Sequence, residues 1–336
     1  MQSTSAVYTR DISYDVIRFV AILFVFSIHC MAGLDAHKDT GVNIFASNLL
    51  TSIQHIGVPL FVMLSGALLL GKQESPYVFL KKRMSRVLVP FLVWSVILFG
   101  IYCVLEPNRY PEDTNSYPLL FVKLLCFSGI HRVYWYVYMI LGLYLITPIL
   151  QRFAQAADEK CMRYACLLIA GVVVMSALLP DFLVTKRMVS DNLPYLGYFI
   201  TGFYIRKHIA KRKGTVRVFA TVSVLLLVLS LCNQCMSFMP DDSVIIYFLS
   251  IAVFGSMQKT ELKDGPLHKF VTFVSRTSYG MYLSHVLLIS IFIKLGMEEL
   301  MPMAIVPVVM TLAILVMESV MMYVIEKCRL SKILGG

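Results

Sequence analysis

Arg18 and His29 stand eleven positions apart inside one apolar segment, and on a helix that separation is about 1100°, within about 20° of three full turns. Both side chains therefore project from one face, roughly 16 Å apart along the axis. Ionisable groups are expensive inside a bilayer and mark functional positions there. Asp15, three residues before Arg18, shares that face and can pair with it, while Ile22, Val25 and Phe26 form an apolar lane leading up to His29. One helix thus offers an anion-binding edge and, at mid-membrane depth, an imidazole suited to acid–base work near neutral pH.

Four further stretches carry residues of chemical interest. SPYVFLKKRMSRVLVP crowds Lys81, Lys82, Arg83 and Arg86 before Val87, a cluster that can bind phosphate or simply anchor a loop at the membrane edge. GVPLFVMLSGALLLG contains Gly57, Ser65 and Gly66, which permit close backbone approach to another helix or to a ligand, and Pro59, expected to kink its span. HRVYWYVYMILGLYLITP gathers His131, Tyr134, Trp135, Tyr136 and Tyr138, as an interfacial aromatic belt does and as a stacking platform for sugar rings does. In SRTSYGMYLSHVLLIS, Ser278, Tyr282 and His285 fall at intervals of four and three and share one helical face, set for structural hydrogen bonds or for a direct role. Glu318, within the last apolar stretch, needs a proton or a bonding partner on a neighbouring helix.

The elements that must position these residues follow from composition. With 336 residues, 58% hydrophobic and 15% charged, the chain lies outside the range of water-soluble globular domains. Recurrent apolar stretches separated by short polar connections predict an all-α integral membrane protein, a bundle of about ten transmembrane helices. The expected spans are 12–33, 44–71, 87–105, 133–150, 161–180, 193–205, 218–238, 243–257, 270–293 and 303–325. The sixth and eighth are short, as tilted or broken helices are. Residues 118–130 read as an interfacial or re-entrant piece, and the connection holding Pro107, Pro111 and Pro118 as a loop. Lys and Arg concentrate on one set of flanks, including Lys81 to Arg86, residues 206–217 and Lys327 to Lys332, whereas the other set holds few, such as Lys38 and Arg109. This asymmetry predicts both termini in the cytoplasm.

The same asymmetry explains the net charge of +10, so no nucleic acid partner is expected. The first span holds Arg18 and His29 and shows no small-residue cleavage site, so it is read as a helix and not as a signal peptide. The eight cysteines form no disulfide framework. Cys232 and Cys235 make a lone C-x-x-C, more often two small apolar residues than a metal half-site; no metal is expected. No internal repeat or composition shift divides the chain, so 1–336 is read as a single domain.

These motifs, in this order, resemble those of the acyltransferase-3 family, polytopic enzymes that acylate exported glycans, over essentially the whole chain. Asp15, Arg18 and His29 match its first-helix Arg-x10-His pattern, Pro59 to Gly66 its Ser-Gly motif, and Lys82, Arg83 and Arg86 with Pro90 its basic loop. His131, Trp135 and Pro148 match its fourth-helix pattern, and Tyr282 with His285 its penultimate-helix pattern. Glu326 also fits, although Cys328 stands where the family often has Pro and Lys81 and Lys82 where it often has Arg. The likeness extends to the branch of enterobacterial common antigen O-acetyltransferases, which have no added hydrolase-like domain.

The resemblance implies a multi-pass enzyme of the bacterial inner membrane that moves an acyl group, acetyl above all, from cytoplasmic acyl-CoA to a hydroxyl of a surface or lipid-linked glycan. It implies donor phosphates on Arg18, Lys82, Arg83 and Arg86, catalysis at His29 supported by Arg18 and Asp15, and acceptor contacts from His131, Trp135, Tyr136, Tyr282 and His285. His29 can act as general base or carry the acyl group covalently. The competing reading is a transporter or flippase for a glycan precursor, for which intramembrane His, Arg and Glu would serve equally.

Overall fold

A computed structural model describes residues 11–32, 50–106, 116–177, 184–210, 212–236, 243–296 and 305–336. Lys38, Pro107, Arg109 and Pro111 lie outside them, as does the side chain of Cys235. Every regular element among the described residues is helical. Seven of these helices are long and apolar enough to cross a bilayer, and the chain is an all-α integral membrane protein.

Helix α1 (Ile12–Ala32) is capped by Asp11, whose carboxylate accepts from the amide and the hydroxyl of Ser13. Its path is central. Ile17, Ala21, Ile22, Val25, Phe26 and Cys30 are buried against α2 (Gly57–Leu69), α10 (Pro266–Lys294) and α11 (Val306–Lys327). The helix that carries Asp15, Arg18 and His29 is thus surrounded by protein, as intramembrane charge requires.

The second expected span is divided in two. Helical residues 50–54 are followed by a turn at His55 and Ile56 before α2 begins. Pro59 supplies the cause: it lacks an N–H, so the carbonyl four residues earlier, at His55, loses its helical partner and the ladder breaks there. Further along, α2 crosses α7 (Val184–Tyr204) at two glycines. A Cβ on Gly66 would lie 1.8 Å from the Phe199 carbonyl oxygen, and one on Gly202 would lie 2.1 Å from that of Met63. Only glycine permits this crossing.

The third expected span starts a full eleven residues early. Helix α3 (Pro76–Leu105) opens with Ser75, whose Oγ accepts from the Val78 amide, and with proline in its first turn. The expected basic loop is therefore the beginning of a helix of 30 residues, about 45 Å long and longer than a hydrocarbon core of about 30 Å. Residues 117–128 form a short helix, α4 (Tyr117–Lys123), continued by one π turn (Leu124–Ser128). After it come α5 (Trp135–Ala156) and α6 (Glu159–Ala177).

The sixth expected span is also longer than its apolar stretch, because α7 reaches back through polar residues to Val184. The eighth stays short as α9 (Ser243–Ser256), packed on α2, α7 and α8 (Thr215–Met236). Only 6% of the apolar stretch of α8 is buried, so this helix presents Val218, Val224, Leu225 and Val228 to lipid.

Candidate functional site

Helices α1, α3 and α10 each bring arginine within their first three turns, and these arginines share a cavity of about 710 Å³ lined by Arg18, Arg83, Arg86 and Arg276. Two of the four are answered by carboxylates. Arg18 Nη1 donates to Ser275 Oγ at 3.0 Å, the same hydroxyl donates to Asp15 Oδ1 at 2.6 Å, and Arg18 Nη1 stands 4.0 Å from Asp15 Oδ1. Asp15 is buried behind Arg18, so the carboxylate orients the guanidinium while facing away from the cavity. Arg276 pairs with Glu326 at 2.8 Å. Arg83 and Arg86 have no ion-pair partner among the described residues, and Arg83 Nε is buried without a hydrogen bond. A guanidinium nitrogen shielded from water is a strong donor to an anionic oxygen.

Toward its inner end the cavity is walled by Val25, Tyr136 and Tyr282. Val25 lies one turn before His29 on α1, and Tyr282 lies three residues before His285 on α10. The two imidazoles meet at this depth, ring centroids 5.2 Å apart. His285 is fully buried, with Phe26 against it at 5.3 Å. Its Nδ1 lies 2.7 Å from the Tyr282 carbonyl oxygen. A carbonyl can only accept, so Nδ1 carries the proton and Nε2 keeps a lone pair; Nε2 has no hydrogen-bond partner among the described residues. Next to His285, Ser284 donates to Glu318 Oε2 at 2.7 Å, which supplies the α11 carboxyl group with its partner on α10.

The opposite rim is built by the start of α5. His131 caps the turn Arg132–Tyr134 through Nδ1, which accepts from the Val133 amide at 3.3 Å, and its ring stacks on Tyr102. It lies within electrostatic range of His29 and His285. Tyr134 donates to the Leu283 carbonyl at 2.9 Å and Tyr282 donates to that of Val133, a reciprocal clamp between α5 and α10. Tyr136 stands edge-on to Tyr282 at 5.3 Å, and Trp135, 43% exposed, packs on Tyr136 and Tyr195.

The structure therefore brings Arg18, Arg83, Arg86, Tyr136 and Tyr282 into one cavity and sets His29 and His285 beyond its inner wall. The shared face of Arg18 and His29 is preserved: both turn toward α10, Arg18 to Ser275 and His29 to His285. Trp135 and His131 stand away from the cavity lining. Lys82, expected beside Arg83 and Arg86, departs from them and lies 3.6 Å from Glu74. On the helix Lys82 lies within about 40° of Arg86, so it is the draw of Glu74, not helical phase, that accounts for its absence from the cavity lining.

Sequence reasoning missed the place of Arg276, Tyr144 and Tyr279 in the lining, and of Ser331, Lys332, Gly335 and Gly336. The spacing of Arg276, Tyr279 and Tyr282, three residues apart each time, was the available signal. No group of three or more His, Cys, Asp or Glu able to hold a metal occurs among the described residues.

No curated protein and no solved structure matches the chain. The model of the acyltransferase-3 family, described as an acyltransferase domain, matches residues 11–321. That range holds the four cavity arginines, His29, His285 and Glu318, and with nearly its whole length matched the chain belongs to the acyltransferase-3 family and is a membrane acyltransferase.

Proposed function

We propose that the protein transfers an acyl group, acetyl in the first instance, from cytoplasmic acyl-CoA to a hydroxyl of a surface or lipid-linked glycan, across a bacterial inner membrane. The observation that carries this reading is the cavity that begins among arginines and ends one helical turn short of a histidine pair. A nucleotide-bearing donor suits such a space, since its phosphates are held by guanidinium groups and its pantetheine arm is apolar enough for the wall at Val25 and Val58. Arg83 and Arg86 take the phosphates, and Arg18, held by Asp15 and Ser275, lines the passage.

At the inner end the acceptor hydroxyl attacks the thioester carbonyl while His29 removes its proton. The tetrahedral adduct then expels the thiolate of coenzyme A, which recovers the proton from His29. His285 assists by packing its ring 5.2 Å from that of His29. Tyr136, Trp135 and His131 lie on the side from which a sugar would approach and offer it aromatic faces.

Incubating purified protein with acetyl-labelled donor and a lipid-linked glycan tests this directly. Label is expected in the glycan with the native protein and not with His29→Ala. Label that stays in the donor across a panel of lipid-linked acceptors would overturn the reading.

A further inference from the structure

Beyond α11, and beyond the residues that the family match covers, the chain turns back into the bundle. Arg329 adopts a left-handed conformation, φ 60°, and reverses the path. The following turn, α12 (Ser331–Leu334), then lies with Gly335 and Gly336 against α3 and α10. Trp94 of α3 donates its indole N–H to the Leu334 carbonyl at 3.1 Å, and the Gly280 amide of α10 donates to the Gly335 carbonyl at 2.9 Å. Gly280 is fourteen residues into α10, about 21 Å along its axis. Non-helical backbone is tolerated at such depth only where protein partners satisfy it or where it lines a cavity, and this segment does both.

The fit is close. A Cβ on Gly280 would meet the carbonyl oxygens of Leu334 and Gly335 at 2.8 and 3.0 Å, and Gly335 itself has φ +86°, a conformation side chains rarely adopt. The face turned inward from this segment, Ser331, Lys332, Gly335 and Gly336, lines the same cavity as Arg83 and Arg86. With the segment in place the cavity still measures about 710 Å³, within the range of about 300–1,000 Å³ common for cofactor sites. The segment is therefore a wall and not a plug. Lys332 is exposed at the mouth, where its ammonium can reach a ligand entering between the arginines.

We propose that residues 331–336 complete the donor site and that Lys332 contacts a phosphate group of coenzyme A; this rests on the donor reading given above. The site then holds a cation that lies beyond the residues matched by the family model, brought in by a main-chain fit around Gly280.

Titration calorimetry of the full-length protein in detergent, with coenzyme A as probe at fixed ionic strength, tests it. Lys332→Ala is expected to weaken binding about threefold, as an exposed ion pair does, and Lys332→Glu about tenfold, since like charge repels. A chain ending at Leu330 is expected to weaken it further. Absence of binding by the native protein would overturn the donor reading itself. Native binding that is unchanged in Lys332→Glu would overturn the present inference whatever the shortened chain does, because an exposed side chain can be replaced without loss of fold. Tighter binding by the shortened chain would overturn it too, by making the segment a plug.

Discussion

A general base serves acyl transfer only if a lone pair is free when the hydroxyl arrives, and in the proposed mechanism that lone pair belongs to His29. His285 has its proton committed to a carbonyl and its other nitrogen unbonded among the described residues, and its ring lies 5.2 Å from that of His29. His29→Ala is expected to lower kcat by about 10²–10⁴ with donor binding retained, the usual effect of removing a general base; single-turnover measurement with pre-bound donor checks it. Arg83→Ala should raise the donor KM about tenfold through loss of a charge-assisted bond, with partial recovery in Arg83→Lys, where the charge remains but the fork does not. Much of this scale was legible in sequence, since one helical period relates Arg18 to His29. Lys82 was not: it looked equivalent to Arg83 and Arg86, and nothing in the local sequence showed that Glu74 would stand 3.6 Å from its ammonium. His285 could be placed on a polar face, but that this face meets His29 depends on two helices running side by side.

Among the elements, α2 holds the bundle by having almost no side chains where it matters. Gly66 and Gly202 let two backbones touch, and a methyl group at either would strike a carbonyl that cannot move without its helix. Gly202→Ala is expected to cost about 1–3 kcal/mol as an overpacked contact does, lowering the thermal unfolding midpoint in detergent. Gly142→Ala, where nothing lies within 4 Å, should leave that midpoint unchanged. Small residues were visible in the sequence as sites of close approach, but their partner on α7 was not, because packing between distant segments leaves no trace in local composition. Helix lengths failed for a related reason. Apolar windows end where polar residues begin, yet α3, capped by Ser75, and α7 continue as helices through Lys81 to Arg86 and through residues 185–192, where hydropathy does not decide.

For the whole molecule, α8 and α1 stand far apart in burial. The mostly apolar α8 sits at the rim, while α1, interrupted by Asp15, Arg18 and His29, lies at the centre. Electrostatics should register at this scale. The arginine cavity without carboxylate partners for Arg83 and Arg86 predicts a donor KM that rises several-fold between about 0.05 and 0.5 M salt as screening shortens to a few ångströms, and rises less in Arg83→Ala. The orientation proposed from charge is open to a direct measurement: Cys126 should react with an impermeant maleimide added outside right-side-out vesicles, and Cys161 and Cys328, all three exposed, only after permeabilisation. The fold of Ser331 to Gly336 has a practical side as well. A reporter grafted after Gly336 would begin beside Lys332 and Gly335 in the cavity wall and is expected to disturb that wall, whereas one inserted at the exposed Asp264 would not.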